Sequence, residues 1–112
     1  MWKKVFELAV KVYAVTENLK DYSMKDQMRR AVVSISSNIA EGFERNYAKE
    51  FVQFLFVAKG SAGELRSQAR IAIRAGLFND KAGNELIENC ESISRQIMAF
   101  IGDIRKRREI KR

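Results

Sequence analysis

RRAVVSISSNIAEGFERNYAKEFVQFLFVAKGSAGELRSQ, residues 29 to 68, decides the fold of this chain. In its first half Ala31, Val32, Ile35, Ile39 and Phe43 recur at short helical steps, the apolar stripe of an amphipathic helix. In its second half Phe51, Phe54, Leu55, Ala58, Ala62 and Leu65 repeat the pattern. Between them lies Glu44-Arg45-Asn46, short and polar, so the two helices fold back as antiparallel neighbours. Asn46 is the expected cap of the second, because its side-chain oxygen can accept from a free first-turn N–H.

Working outward, Val5, Leu8, Ala9, Val12, Thr16 and Leu19 predict a first helix over Trp2 to Leu19. Lys20-Asp21-Tyr22 breaks that pattern, and Ser23 reads as the cap of the next helix, which takes in Met28 and runs to about Phe43. Downstream, Ala69 and Ala72 prolong the third helix to a stop at Gly76. Asn79 or Asp80 starts a fourth, ending at Lys106, whose Gly83, Leu86, Cys90, Ile93, Ile97, Phe100 and Ile104 form a heptad seam. Four helices joined by three short connections make an all-α, antiparallel up-down-up-down four-helix bundle over residues 1–106. Residues 107–112 read as a basic C-terminal tail.

The composition agrees with this and removes most catalytic chemistry. A chain of 112 residues suits one domain, and the absence of proline favours long helices. There is no histidine, so the commonest general base and metal ligand is missing. The single cysteine, Cys90, permits no intrachain disulfide and falls on an apolar seam, the place of a core residue more than of a reactive thiol. Gly60 and Gly63 lie inside a helical pattern, not in a phosphate-binding loop, and predict close approach of another backbone. The chain is expected to be non-catalytic, with no cofactor and no metal. It has no apolar run near the ~20 residues of a membrane span and no leader pattern, so a cytoplasmic location without membrane association is expected.

One row of helix 2 departs from simple amphipathicity. Gln27, Arg30, Ser34, Asn38 and Glu41 fall at steps of three or four beside the core stripe. The row reads either as solvent face or as a structural polar network at a buried or subunit contact. Serine and asparagine are poor choices for an exposed helix, which favours the network. Antiparallel folding about residue 45 would set Arg30 opposite Ser61 and Gln27 opposite Glu64, with an Arg30–Glu64 ion pair.

The run Ser34-Ile35-Ser36-Ser37-Asn38-Ile39-Ala40-Glu41-Gly42, followed by Gly60-Ser61 and Glu64-Leu65, resembles the small four-helix-bundle proteins encoded in intervening sequences of bacterial 23S rRNA genes. A related branch is the accessory variability protein of diversity-generating retroelements. The resemblance implies a homo-oligomer, specifically a pentamer. Its first branch implies an RNA partner, and its second an RNA template and a reverse transcriptase. Asn38, Glu41, Ser61 and Glu64 match signature positions of that family, with structural and not catalytic roles implied.

Charge supplies the functional expectation. The net charge is +7, and RKRREIKR at 105–112 holds six basic residues and one acidic. Such a tail attracts nucleic acid or stays solvated. Arg66, Arg70 and Arg74 share one face of helix 3 with no acid between Leu65 and Asn79, a candidate phosphate track. The competing expectation is that Glu91, Glu88, Glu85 and Asp80 of an antiparallel helix 4 neutralise them in ion pairs. The topology also gathers Lys3, Lys4, Arg45, Lys49, Arg105, Lys106, Arg107, Arg108, Lys111 and Arg112 toward one end, while Lys20, Asp21, Lys25, Asp26, Asp80 and Lys81 leave the other end near neutral. In a ring of parallel subunits the basic ends combine into one rim. Trp2 and Tyr47 at that end either stack on bases or cap the packing. Phe6, Val10, Val52, Phe56, Ile87, Met98 and Ile101 fall outside the seams and predict a subunit interface. The expected function is RNA or DNA binding without strong sequence specificity. The alternative is an oligomeric scaffold for another protein, such as a reverse-transcriptase accessory protein.

Overall fold

The computed structural model describes the backbone of residues 1–110 and side chains as far as Arg107. Four helices occupy it: α1 (Trp2–Thr16), α2 (Tyr22–Phe43), α3 (Ala48–Arg74) and α4 (Asp80–Ile110). The bundle measures 53 × 21 × 20 Å. α1 packs on α2 and α4, α2 on α3, and α3 on α4, so each helix touches its neighbours around a square and not its diagonal. Contacts at both ends set the directions. Trp2 stacks on Phe43 while Arg29 reaches back to Tyr13, so α1 and α2 are antiparallel. Ser34 meets Ser61, and Phe43 meets Phe51, so α2 and α3 are too. Phe51 meets Phe100 and Ile73 meets Gly83, reversing direction once more.

The core is the predicted stripes with local corrections. Val5, Leu8, Val12, Met28, Ile35, Ile39, Leu55, Leu65, Leu86, Ile93 and Ile97 are fully or almost fully buried. Val52 and Ile101, expected outside the seams, belong to this core, and Phe100 is only half-buried beside it. Phe43 is half-exposed, packed on Trp2 and Phe51 at the end of the bundle, and buried Gly42 takes the core position. A Cβ at Gly42 would lie 2.7 Å from Phe51 Cδ1 and 3.1 Å from Phe54 Cβ, so the missing side chain lets two aromatic residues of α3 close on α2. Gly83 does the same for Ile73 at the α3–α4 crossing. The glycines expected to admit a backbone do not: Gly60 and Gly63 have nothing within 4 Å of a built Cβ.

Helix ends show why boundaries moved. α1 stops three residues early because Thr16 Oγ1 donates to Val12 O at 2.7 Å and Arg29 Nη2 donates to Tyr13 O at 3.1 Å, satisfying last-turn carbonyls without further helix. Asp21, not Ser23, caps α2, accepting from Met24 N at 3.0 Å. α3 opens at Ala48 after an extended Tyr47 that makes no side-chain cap, so Asn46 is not the cap. Asn79 caps α4 by accepting from Ala82 N at 2.8 Å. Gly76, at φ 74°, ends α3 in a left-handed turn: Leu77 N donates to Ala72 O, and Gly76 N to Ile73 O. α4 continues to Ile110, past the expected end at Lys106.

Candidate nucleic-acid interface

Aromatic packing builds the end of the bundle where α1 and α3 begin and α2 finishes. Trp2 stacks on Phe43 with centroids 5.6 Å apart, Phe43 meets Phe51 at 4.8 Å, and Phe100 of α4 closes on Phe51 at 5.4 Å, edge to face. Trp2 is therefore a packing cap, half-buried, while Tyr47 beside it is exposed.

Around this plug the structure brings Lys3, Lys4, Arg45, Lys49, Arg105, Lys106 and Arg107 to one end, all of them exposed. They are not equally available. Arg45 Nη2 binds Glu41 Oε1 at 2.7 Å and its guanidinium lies over Phe54. Arg105 lies over Phe56, 5.4 Å from the ring centroid. Lys3, Lys4, Lys49, Lys106 and Arg107 have no carboxylate within 4 Å among the described residues. Glu44, Glu50 and Asp103 share this end and offset part of its charge in a single copy. Arg108, Lys111 and Arg112 lie outside the described side chains. At the other end Asp21 is taken up as a cap, Asp26 pairs with Arg30, and Lys25 donates to Glu17 O.

The arginine row on α3 is not neutralised as expected. Glu85 turns to α1, where it accepts from Lys11 Nζ at 3.2 Å, and no carboxylate lies within 4 Å of Arg66, Arg70 or Arg74 among the described residues. Glu88 and Glu91 follow Asn84 and Ile87 at helical spacing on the groove side of α4, without closing to ion-pair distance among the described residues. Arg70 and Arg74, both exposed, border an open groove of about 660 Å³ between α3 and α4, lined also by Ile71, Ile73, Asn84 and Ile87. Arg66 is half-buried near Cys90. Burial pushes the Cys90 thiol up to about 12, only partly opposed by the Arg66 charge, so it stays protonated and unreactive at neutral pH.

Of the polar row on α2, the structure joins Ser34, Asn38 and Ser61. The Ser34 and Ser61 hydroxyls are 2.8 Å apart, and Asn38 Nδ2 donates to Ser34 O at 2.8 Å and to Ser34 Oγ at 3.0 Å. Gln27, Arg30, Glu41 and Glu64 stay exposed outside this cluster. Gln27 bonds Ser23, and Arg30 pairs with Asp26 at 2.9 Å, so the Arg30–Glu64 pair does not form. The register also differs from the expected one. With Ser34 level with Ser61, Arg30 falls level with Leu65, one helical turn from the expected pairing, and although this sets it near the level of Glu64, both side chains stay exposed and Arg30 is taken up by Asp26 on its own helix.

A polar clamp went unread in the sequence. Arg29 Nε donates to the buried Thr16 Oγ1 at 2.9 Å, its guanidinium lies 4.3 Å from the Tyr13 ring centroid, and Glu17 is 3.6 Å away. A threonine on an apolar stripe was the available signal. Among the described residues no cluster of His, Cys, Asp and Glu is placed to hold a metal ion, and no helix is long and apolar enough to cross a membrane.

The model of the 23S rRNA-intervening sequence protein family matches residues 1–99. Among solved structures, the chain is similar to a Bacteroides thetaiotaomicron protein of unknown function from the S23 ribosomal protein family. The two share 22% identity at a TM-score of 0.83, over 89% of this chain and 96% of the other, a likeness of fold. No curated protein matches the chain.

Proposed function

The chain belongs to the 23S rRNA-intervening sequence protein family, and on that footing we propose that it is a non-catalytic homo-oligomer that binds RNA or DNA through its basic end, without strong sequence specificity. The observation that carries this reading is the convergence of exposed Lys3, Lys4, Lys49, Lys106 and Arg107 at one end, with no carboxylate partner within 4 Å among the described residues. Four of the five are lysines, compact charges on flexible stems that suit phosphate oxygens, and contacts to phosphate carry no sequence information. One copy's surplus is modest because Glu44, Glu50 and Asp103 lie nearby. A ring of parallel copies, a pentamer in the family's pattern, multiplies that surplus into a rim where weak phosphate contacts add. Arg70 and Arg74 flank an apolar groove instead, a setting better suited to a protein neighbour than to a polyphosphate.

Light scattering at two salt concentrations, with and without a structured RNA of ~50 nucleotides, tests assembly and binding together. Uptake of RNA at low salt, lost at high salt, is the expected result. Replacing Arg105, Lys106, Arg107 and Arg108 with alanine should weaken binding alike for all sequences and lower the log–log salt slope by about one per lost contact. An oligomer that ignores RNA and DNA would favour the second reading, a scaffold for another protein such as a reverse transcriptase. That reading draws on the exposed apolar residues Phe6, Val10 and Ile71.

A further inference from the structure

α4 outlasts the bundle it belongs to. Phe51 and Phe100 meet edge to face, which sets the level of α3 against α4 at the basic end. From that contact α3 runs back only three residues to its first, Ala48, while α4 runs on ten residues to Ile110. At 1.5 Å per residue, about 10 Å of helix projects past the start of α3. Ile104, 8% exposed, is the last core residue of α4. With Arg105 it lines a hollow of about 290 Å³ against Ala48, Val52 and Phe56 of α3, and from Arg105 onward the described side chains of α4 are all exposed. The family match ends at residue 99, so this projection lies outside it.

The charge of the projection is not arranged as on an amphipathic helix. Arg105, Lys106 and Arg107 are consecutive, so at 100° per residue they leave the helix on three sides. Arg105 leans back over Phe56, while Lys106 and Arg107 have no carboxylate within 4 Å among the described residues, although Asp103 lies one turn before Arg107. Arg108 continues the run in sequence, and Glu109 is its one acid. The helix macrodipole favours cations at a C-terminus, but only within the last turn, which accounts for Arg107 and Arg108 and not for Arg105 and Lys106. A helix resting on a flat anionic surface needs cations on one face. Cations on three sides suit a channel with negative walls to left and right.

We infer that the projecting end of α4 enters the major groove of B-form duplex DNA, with its cations facing the phosphates of both walls. That groove is about 12 Å wide and 8.5 Å deep, which admits a helix of about 10–12 Å diameter, and a projection of about 10 Å reaches through its depth. The major groove of an RNA duplex is too narrow to admit a helix, and a single strand offers one line of phosphates and no second wall. Contacts to phosphate position the helix without reading sequence. The inference rests on nucleic-acid binding at the basic end, as proposed above, and names the form of nucleic acid that this end takes.

Fluorescence anisotropy of the full chain tests it, with a DNA duplex of about 20 base pairs, the RNA duplex of the same sequence and the DNA single strand, all at one salt concentration. The DNA duplex should bind about tenfold more tightly than either alternative. Arg107→Gln and Arg107→Pro remove the same charge, but only proline breaks the projecting helix. Both should keep the wild-type Tm, because Arg107 lies past the last core residue. The glutamine variant should weaken duplex binding about threefold and keep the preference for the DNA duplex, whereas the proline variant should weaken it about tenfold and lose the preference. Methyl green, a major-groove ligand, should displace the protein, and netropsin, a minor-groove ligand, should not. Binding to none of the three nucleic acids would overturn the proposed function and this inference with it. Equal binding to all three, a preference for RNA or the single strand, equal losses in the two variants, or displacement by netropsin alone would overturn the groove contact and leave binding at the basic end standing.

Discussion

Along α3, Ala58, Ser61, Ala62, Leu65, Ala69 and Ala72 point into the bundle and are buried, while Val57, Gly60, Glu64, Ser67 and Ile71 on another side are exposed, although both rows, Glu64 and the buried Gln68 apart, are made of small and apolar residues. Composition separates them only at Glu64; partners separate the rest. On the inner row Ser61 finds the Ser34 hydroxyl on α2, and Leu65 is wholly enclosed. The outer row meets no residue of the same chain that buries it. A helix that is apolar on more than one side divides its surface between folding and association, and only the structure says which row does which.

The largest expected contrast is between truncations on the two rows. Leu65→Ala should lower unfolding free energy by about 2–5 kcal/mol in urea at fixed protein concentration, because it leaves a cavity among residues that cannot all relax. Ile71→Ala, at an exposed site, should change monomer stability by no more than about 0.5 kcal/mol. If the two losses were equal, the outer row would belong to the fold and the division between the faces would fail.

Next in size is the contrast between glycines. At Gly83 an alanine Cβ would collide with the side chain of Ile73, so Gly83→Ala should destabilise by about 1–3 kcal/mol despite the ~1 kcal/mol that helix propensity offers in the other direction. A rise in Tm would show that Ile73 moves aside freely and that α3 and α4 do not need a glycine to close.

These glycines mark where sequence reasoning ran out. The stripes of Val5, Leu8, Ile35, Leu55 and Ile97 were readable because helical periodicity and burial report the same geometry. Periodicity also marked Gly60 and Gly63, but it cannot say which side of a helix another helix approaches, and the close contacts fall at Gly42 and Gly83. Val52 and Ile101 were misplaced for the same reason: on helices with two apolar faces the phase is ambiguous by one position. In the candidate site, the basic end followed from topology alone, whereas the Arg30–Glu64 pairing failed because Arg30 pairs with Asp26 on its own helix, a local contact that competes with any pairing between helices. The Arg29–Thr16 clamp depends on long side chains crossing between helices, which no spacing rule encodes.

A smaller effect tests the polar contact on the inner row. Ser61→Ala removes one side of the 2.8 Å hydroxyl pair and should cost about 1 kcal/mol, since Ser34 still accepts from Asn38. Ser67→Ala on the exposed side removes no such contact and should be neutral or raise Tm slightly through propensity. Equal effects at 61 and 67 would mean that water replaces the serine pair at no cost, and that the cluster contributes register without stability.

The smallest effect has the opposite sign. Gly60 is helical without a positive φ, and nothing lies within 4 Å of the position its Cβ would take, so alanine fits there without strain. Gly60→Ala should therefore stabilise the protein by about 0.5–1 kcal/mol, mainly by restricting the unfolded chain. Measured at two protein concentrations, the gain should be the same, because Gly60 lines neither of the two hollows between α3 and α4. A gain that vanished or reversed as the concentration rose would mean that a second copy packs its backbone against Gly60. The outer row of α3 would then be divided again, with its glycine serving close approach between molecules as Gly42 and Gly83 serve it within one.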